Sequence, residues 1–97
     1  MYWVENGKVK VKDGSNTSTV GDSNAIHVCD GIYNGYEAFI ITYSNGEAKI
    51  STKSTTTKLY HGLSGKLVST QFYDKGIVVT NDKGERYYSY PGGGKKL

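Results

Sequence analysis

Asn-Gly occurs three times in this chain, at Asn6-Gly7, Asn34-Gly35 and Asn45-Gly46, each time between residues that suit extended backbone. A two-residue hairpin asks for positive φ at both central positions, and Asn followed by Gly adopts it at the least steric cost. Turn residues recur about every ten positions, and no stretch carries helical periodicity with caps. The expected fold class is all-β: an antiparallel, hairpin-built small barrel or two-sheet sandwich of about seven to eight strands. Residues 1–91 read as one domain, and 92–97, a Gly/Lys run, as a flexible tail.

Register follows from the turns. A two-residue loop at Asn6-Gly7 sets Val4 opposite Val9 and Tyr2 opposite Val11, with Lys8, Lys10 and Lys12 on the other face of that strand. The second dipeptide makes Tyr33 and Tyr36 a cross-strand pair. The third sets Tyr43 opposite Ala48 and Ile41 opposite Ile50, so that Phe39, Ile41, Tyr43 and Ile50 would share one core face. Asp13 to Asn24 is the longest segment without strand character, although Thr17–Val20 could add a short strand. Ala25–Asp30 reads as a strand with Ile26 and Val28 on one face. Val68, Thr70 and Phe72 would share a face of the strand over 66–73. Asp74-Lys75-Gly76 suits a three-residue loop with Gly76 left-handed, and Pro91 closes the last strand. Similar turn motifs recur without a recognisable internal duplication.

Composition narrows the function more by exclusion than by indication. Hydrophobic residues are only 36% of the chain, and nine Tyr must supply much of the apolar area while keeping their hydroxyls wet. The net charge is +3, and of 12 basic residues only Arg86 is arginine. Lysine solubilises, whereas arginine gives forked recognition of phosphate or bases. The single cysteine, Cys29, excludes an internal disulfide. No apolar run is long enough for a membrane helix, and no leader-like pattern opens the sequence. A cytoplasmic location is the expectation, with a phage particle or secretion as alternatives.

No catalytic set emerges. His27 and Cys29 share a strand face, yet i and i+2 side chains run roughly parallel about 6.5–7 Å apart, and a lone Cys packs as a small hydrophobe. The spacing of His27, Cys29 and His61 matches no zinc pattern. Asp13, Asp22 and Asp30 read as turn formers. No metal, cofactor or enzymatic activity is expected. The reading is a small non-catalytic protein-binding module, an inhibitor, accessory or assembly subunit of phage or mobile-element type, because Tyr is enriched at interfaces. Its candidate binding residues are Tyr33, Tyr36, Arg86, Tyr88 and Tyr90. The alternative is a single-stranded nucleic-acid-binding barrel in which Lys8, Lys10 and Lys12 contact the polyanion. A glycan-binding module is a further alternative. For the lysine row itself, protection of a sheet edge is the favoured role, because no aromatic is interleaved with it. Self-association remains compatible with all three readings, and membrane binding with none.

Overall fold

A computed structural model describes residues 1–21 and 23–97. It is all-β, antiparallel and hairpin-built, as the turn chemistry requires, and its described residues form eleven strands in three sheets, more than the seven to eight expected for a small barrel or two-sheet sandwich. The first sheet is β1 (Tyr2–Glu5), β2 (Lys8–Asp13) and β3 (Asn16–Val20). The middle sheet is β4 (Ala25–Tyr33), β5 (Tyr36–Tyr43), β6 (Ala48–Thr52) and β7 (Thr56–Lys58). The last is β8 (Leu67–Tyr73), β9 (Gly76–Asn81), β10 (Arg86–Tyr90) and β11 (Gly93–Lys96). Within each sheet the strands lie in chain order.

The middle sheet is covered on both faces. Alternate side chains of β5 point in opposite directions, and this strand buries both sets. Ile41 and Tyr43 join Val9 and Ala25 in a core with the first sheet, flanked by Tyr2, Val4, Val28 and Phe39. Ile40 and Ala48 join Leu67, Ile77 and Val79 in a second core with the last sheet. Two-sided burial explains the unbroken apolar run Ala38-Phe39-Ile40-Ile41 in β5, where a half-buried strand would alternate.

The first two Asn-Gly hairpins form as expected. Asn6 and Gly7 have φ of 52° and 77°, Asn34 and Gly35 of 51° and 81°. Val4 faces Val9, Tyr2 faces Val11, and Tyr33 faces Tyr36. The third does not. Only Gly46 takes positive φ, and the amide of Glu47 donates to Asn45 Oδ1 at 2.9 Å. That side-chain bond offers the backbone a local alternative. The loop becomes three residues, closed by Gly46 N–H to Tyr43 O and Tyr43 N–H to Glu47 O. Register slips by one, so Ala48 faces Thr42 and Ile50 faces Ile40. Ile50 therefore belongs to the second core, away from Phe39, Ile41 and Tyr43.

Other corrections have equally local causes. Gly14 at positive φ turns β2 into β3, so the supposed loop over 13–24 contains a strand. That makes β2 the central strand of its sheet, and its lysines cannot protect an edge. A bulge between Ala25 and His27 leaves Ile26 out of the core, and a bulge between Leu67 and Ser69 does the same to Val68. Asp74 takes positive φ and Tyr73 pairs with Gly76 across a two-residue loop. Gly76 is needed for space, since a Cβ there would lie 2.3 Å from the Ser89 carbonyl oxygen of β10. Gly92 at positive φ follows Pro91 in a turn, and residues 93–96 pair with β10 instead of forming a free tail. Asp30 sits within β4 opposite Phe39, so it is no turn former, and Asp22 lies outside the described residues.

The middle and last sheets share one plan. Each has a bulge at the second residue of its first strand and a three-residue loop ending in positive-φ Gly, Gly46 or Gly84. Ser44 N–H donates to Asn24 O in one, and Asp82 N–H to Lys66 O in the other, both at 2.8 Å. Successive sheets are also tied alike: Ala25 N–H to Gly7 O and Leu67 N–H to Gly46 O. Gly7, Gly46 and Gly84 thus mark equivalent turns about 40 residues apart, a period found in proteins built from repeated meander sheets.

Ile40→Ala and Ile41→Ala should each cost about 2–5 kcal/mol, one from each core. Ile26→Ala and Val68→Ala should stay within about 0.5 kcal/mol, because the bulges place both on the surface. Urea midpoints of the four variants would check the assignment.

Candidate functional site

The repeat plan shows where a partner face is left open. In the first sheet, Tyr2, Val4 and Val9 are covered by the middle sheet. In the middle sheet, Ile40, Ala48 and Ile50 are covered by the last. Register assigns the corresponding face of the last sheet to Val78 opposite Tyr88 and Thr80 opposite Arg86, since Ile77, Val79 and Tyr87 point back into the second core. Among the described residues no sheet covers it.

Aromatic side chains fill this face instead. Tyr88 packs edge-on against Tyr73 at 5.9 Å and tilted against Tyr90 at 5.3 Å. Val78 is buried beneath, only 6% exposed, while Tyr73 and Tyr90 stand out at 61% and 39%. Two grooves meet at Tyr88. One, of about 450 Å³, is lined by Gln71, Tyr73, Val78, Arg86, Tyr88, Lys95 and Leu97. The other, of about 440 Å³, runs past Ile32, Asn34, Asp74, Lys75, Tyr90 and Pro91. Burial, and secondarily the Asp74 carboxylate, push the Tyr88 hydroxyl above its ordinary pKa.

Three of the five expected binding residues, Arg86, Tyr88 and Tyr90, therefore share one surface. Tyr33 does not join them. It packs partly buried against the second core. Tyr36 is exposed at the β4–β5 turn and lines neither groove. Sequence reasoning missed Tyr73, which joins this face through the β8–β9 register, and Val78, which underlies it through the β9–β10 register.

A second cleft, of about 440 Å³, lies between the middle and last sheets and includes His27, Cys29, Asp30, Thr70 and Arg86. Its chemistry is quiet. Cys29 Sγ lies 3.2 Å from Thr70 Oγ1, and burial pushes its thiol above the ordinary value. A thiol so placed is a poor nucleophile at neutral pH. His27 Nδ1 and Thr42 Oγ1, on residues paired in register, are buried without a hydrogen-bond partner. Among the described residues no group of three or more His, Cys, Asp or Glu side chains gathers as a cation site.

The buried polar hub at the β9–β10 turn is structural. Asn81, 1% exposed, donates to Ser64 O and Glu85 Oε1, both at 2.8 Å, and accepts from the amides of Lys83 and Glu85. Its bond, then that of Lys96, holds the Glu85 carboxyl below its ordinary value.

No protein-family model matches the chain, and comparison with curated proteins and with solved structures finds no match either.

Two expectations follow from the buried groups. Asn81→Ala would strand two loop amides and the Ser64 carbonyl, at about 1–3 kcal/mol for each group left buried and unpaired, read as a lowered melting temperature. Burial pushes the His27 imidazole down, and burial followed by the Lys58 charge does the same to His61. The unfolded chain takes up these protons near the ordinary value of 6.5, whereas the native fold resists them to lower pH. The unfolded state then binds more protons, so stability is full above that value and falls as pH drops below it. A urea midpoint lower at about pH 5.5 than at about pH 7.5, with a smaller difference in His27→Gln, is the expected result.

Proposed function

We propose that the protein is a small non-catalytic binding module that docks a protein partner on the tyrosine face of its last sheet. The observation that carries this reading is the equivalence of faces. The surface of Val78, Tyr88 and Arg86 occupies the position that the other two sheets fill with a packed neighbour. It is grooved, aromatic and partly apolar, with one arginine at its side. Tyr and Arg dominate interface hot spots because they add large contact area together with hydrogen-bonding reach.

The face is also preorganised. Tyr73, Tyr88 and Tyr90 hold one another by ring contacts, which lowers the side-chain entropy lost on binding. Val78 beneath them supplies a dry floor. An inhibitor, accessory or assembly role fits such a surface.

The test is affinity capture from the source cells with the wild-type chain and with Tyr88→Ala and Arg86→Ala, confirmed folded by their melting curves. A partner retained by the wild type should be lost or weakened at least about 30-fold by either change, the loss expected of a residue worth about 2 kcal/mol. Cys29→Ala should retain it fully. Equal capture by all four chains would rule the tyrosine face out.

A further inference from the structure

The outer face of the first sheet points away from the core that Tyr2, Val4 and Val9 form with the middle sheet. Alternation places Lys8, Lys10 and Lys12 of β2 on it, in steps of about 6.5–7 Å. Such a row looks bare in sequence, with no aromatic between the lysines. The fold supplies one from the neighbouring strand: Trp3 of β1 stands directly opposite Lys10, at the middle of the row. On the other side, Lys10 Nζ donates to Thr19 Oγ1 of β3 at 2.7 Å, which fixes the central ammonium on this face. Lys8 faces Glu5 and Lys12 faces Thr17. Among the described residues Glu5 is the one acid that register places on this face, against three lysines.

We propose that this face binds single-stranded nucleic acid, with one base stacked on Trp3 and the flanking phosphates on Lys8, Lys10 and Lys12. Charge complementarity selects the class of partner. An aromatic platform set among lysines selects a strand with unpaired bases, because stacking needs a free base face. The lysine spacing is comparable to the phosphate step of an extended strand, and β2, as the central strand, holds the row rigid from both sides. The site lies on the first sheet and the tyrosine face on the last, so either can fail without the other.

Trp3 is the only tryptophan, so its fluorescence reports on this face alone. The experiment titrates a thymidine 12-mer into the full chain at several salt concentrations. It follows Trp3 emission for the wild type and oligonucleotide anisotropy for all chains. Quenching of Trp3 is expected, with an affinity that falls with salt at a log–log slope of about −2 for three phosphates. The triple change Lys8→Gln, Lys10→Gln, Lys12→Gln should remove that slope. Trp3→Ala should weaken binding about 5- to 150-fold and leave the slope unchanged, the loss expected of one stacked base. Trp3→Phe, which keeps a ring, should recover most of it and guards against a folding defect. Absence of binding at low salt overturns the proposal. So does binding that both variant sets retain, or binding of duplex or heparin as tight as that of the single strand and indifferent to Trp3.

Discussion

Ile40 and Ile41 are neighbours in β5, both are almost wholly buried, and they point in opposite directions. The rest of the structure depends on that pair. A sheet that buries both faces needs a cover on each, and the chain provides one before it and one after it. Each cover needs only one apolar face, so its outer side is free to be polar. This reconciles a hydrophobic content of 36% with two cores. The central strands carry the aliphatic residues, and tyrosines work at the boundaries, as Tyr2 does by stacking on Phe39 at 4.8 Å.

Glycine sets how closely these layers meet. A Cβ at Gly31 would lie 2.7 Å from the Phe72 ring, so β4 and β8 approach as they do only because that side chain is missing. Gly94 likewise leaves room for the Tyr87 ring, a role that a reading of residues 92–97 as flexible could not anticipate. In both cases glycine serves packing at negative φ, and sequence alone does not distinguish this use from a turn.

Fold class and two of the three Asn-Gly registers were legible because their causes lie within a few residues. The misses share a different cause. At Asn45-Gly46 a side-chain bond to Glu47 outcompeted the two-residue turn, and one residue of slip moved Ile50 from one core to the other. At Ile26 and Val68 the bulges broke the alternation that assigns faces, and nothing local announces them. The candidate sites follow the same division. Arg86, Tyr88 and Tyr90 alternate on one strand and could be grouped by period alone. Trp3 could be joined to Lys10 only by using the first hairpin's register across strands, and Tyr73 only by knowing how β8 and β9 pair. Tyr33 has the composition of a binding residue but lies where the middle sheet needs bulk.

The repeat raises the question of whether such a stack could continue from one molecule to the next. Two open faces at opposite ends of a series of similar sheets are a ready route to head-to-tail assembly, which closes into rings or runs on as fibres. The chemistry of the ends opposes it. The first sheet's outer face carries Lys8, Lys10 and Lys12, and the last sheet's carries Arg86 with Lys95 beside it. Docking one on the other would bring like charges together in a partly dry interface, which costs several kcal/mol for close pairs. Trp3 and Tyr88 could satisfy each other as aromatics, but the cations around them could not. The exposed edges at β7 and β11 add to this, the first short and ending in Lys58, the second built of Gly and Lys. Cations on both end faces thus oppose docking of one on the other, and the aromatic groups differ as well, a lone tryptophan among lysines at one end and packed tyrosines at the other.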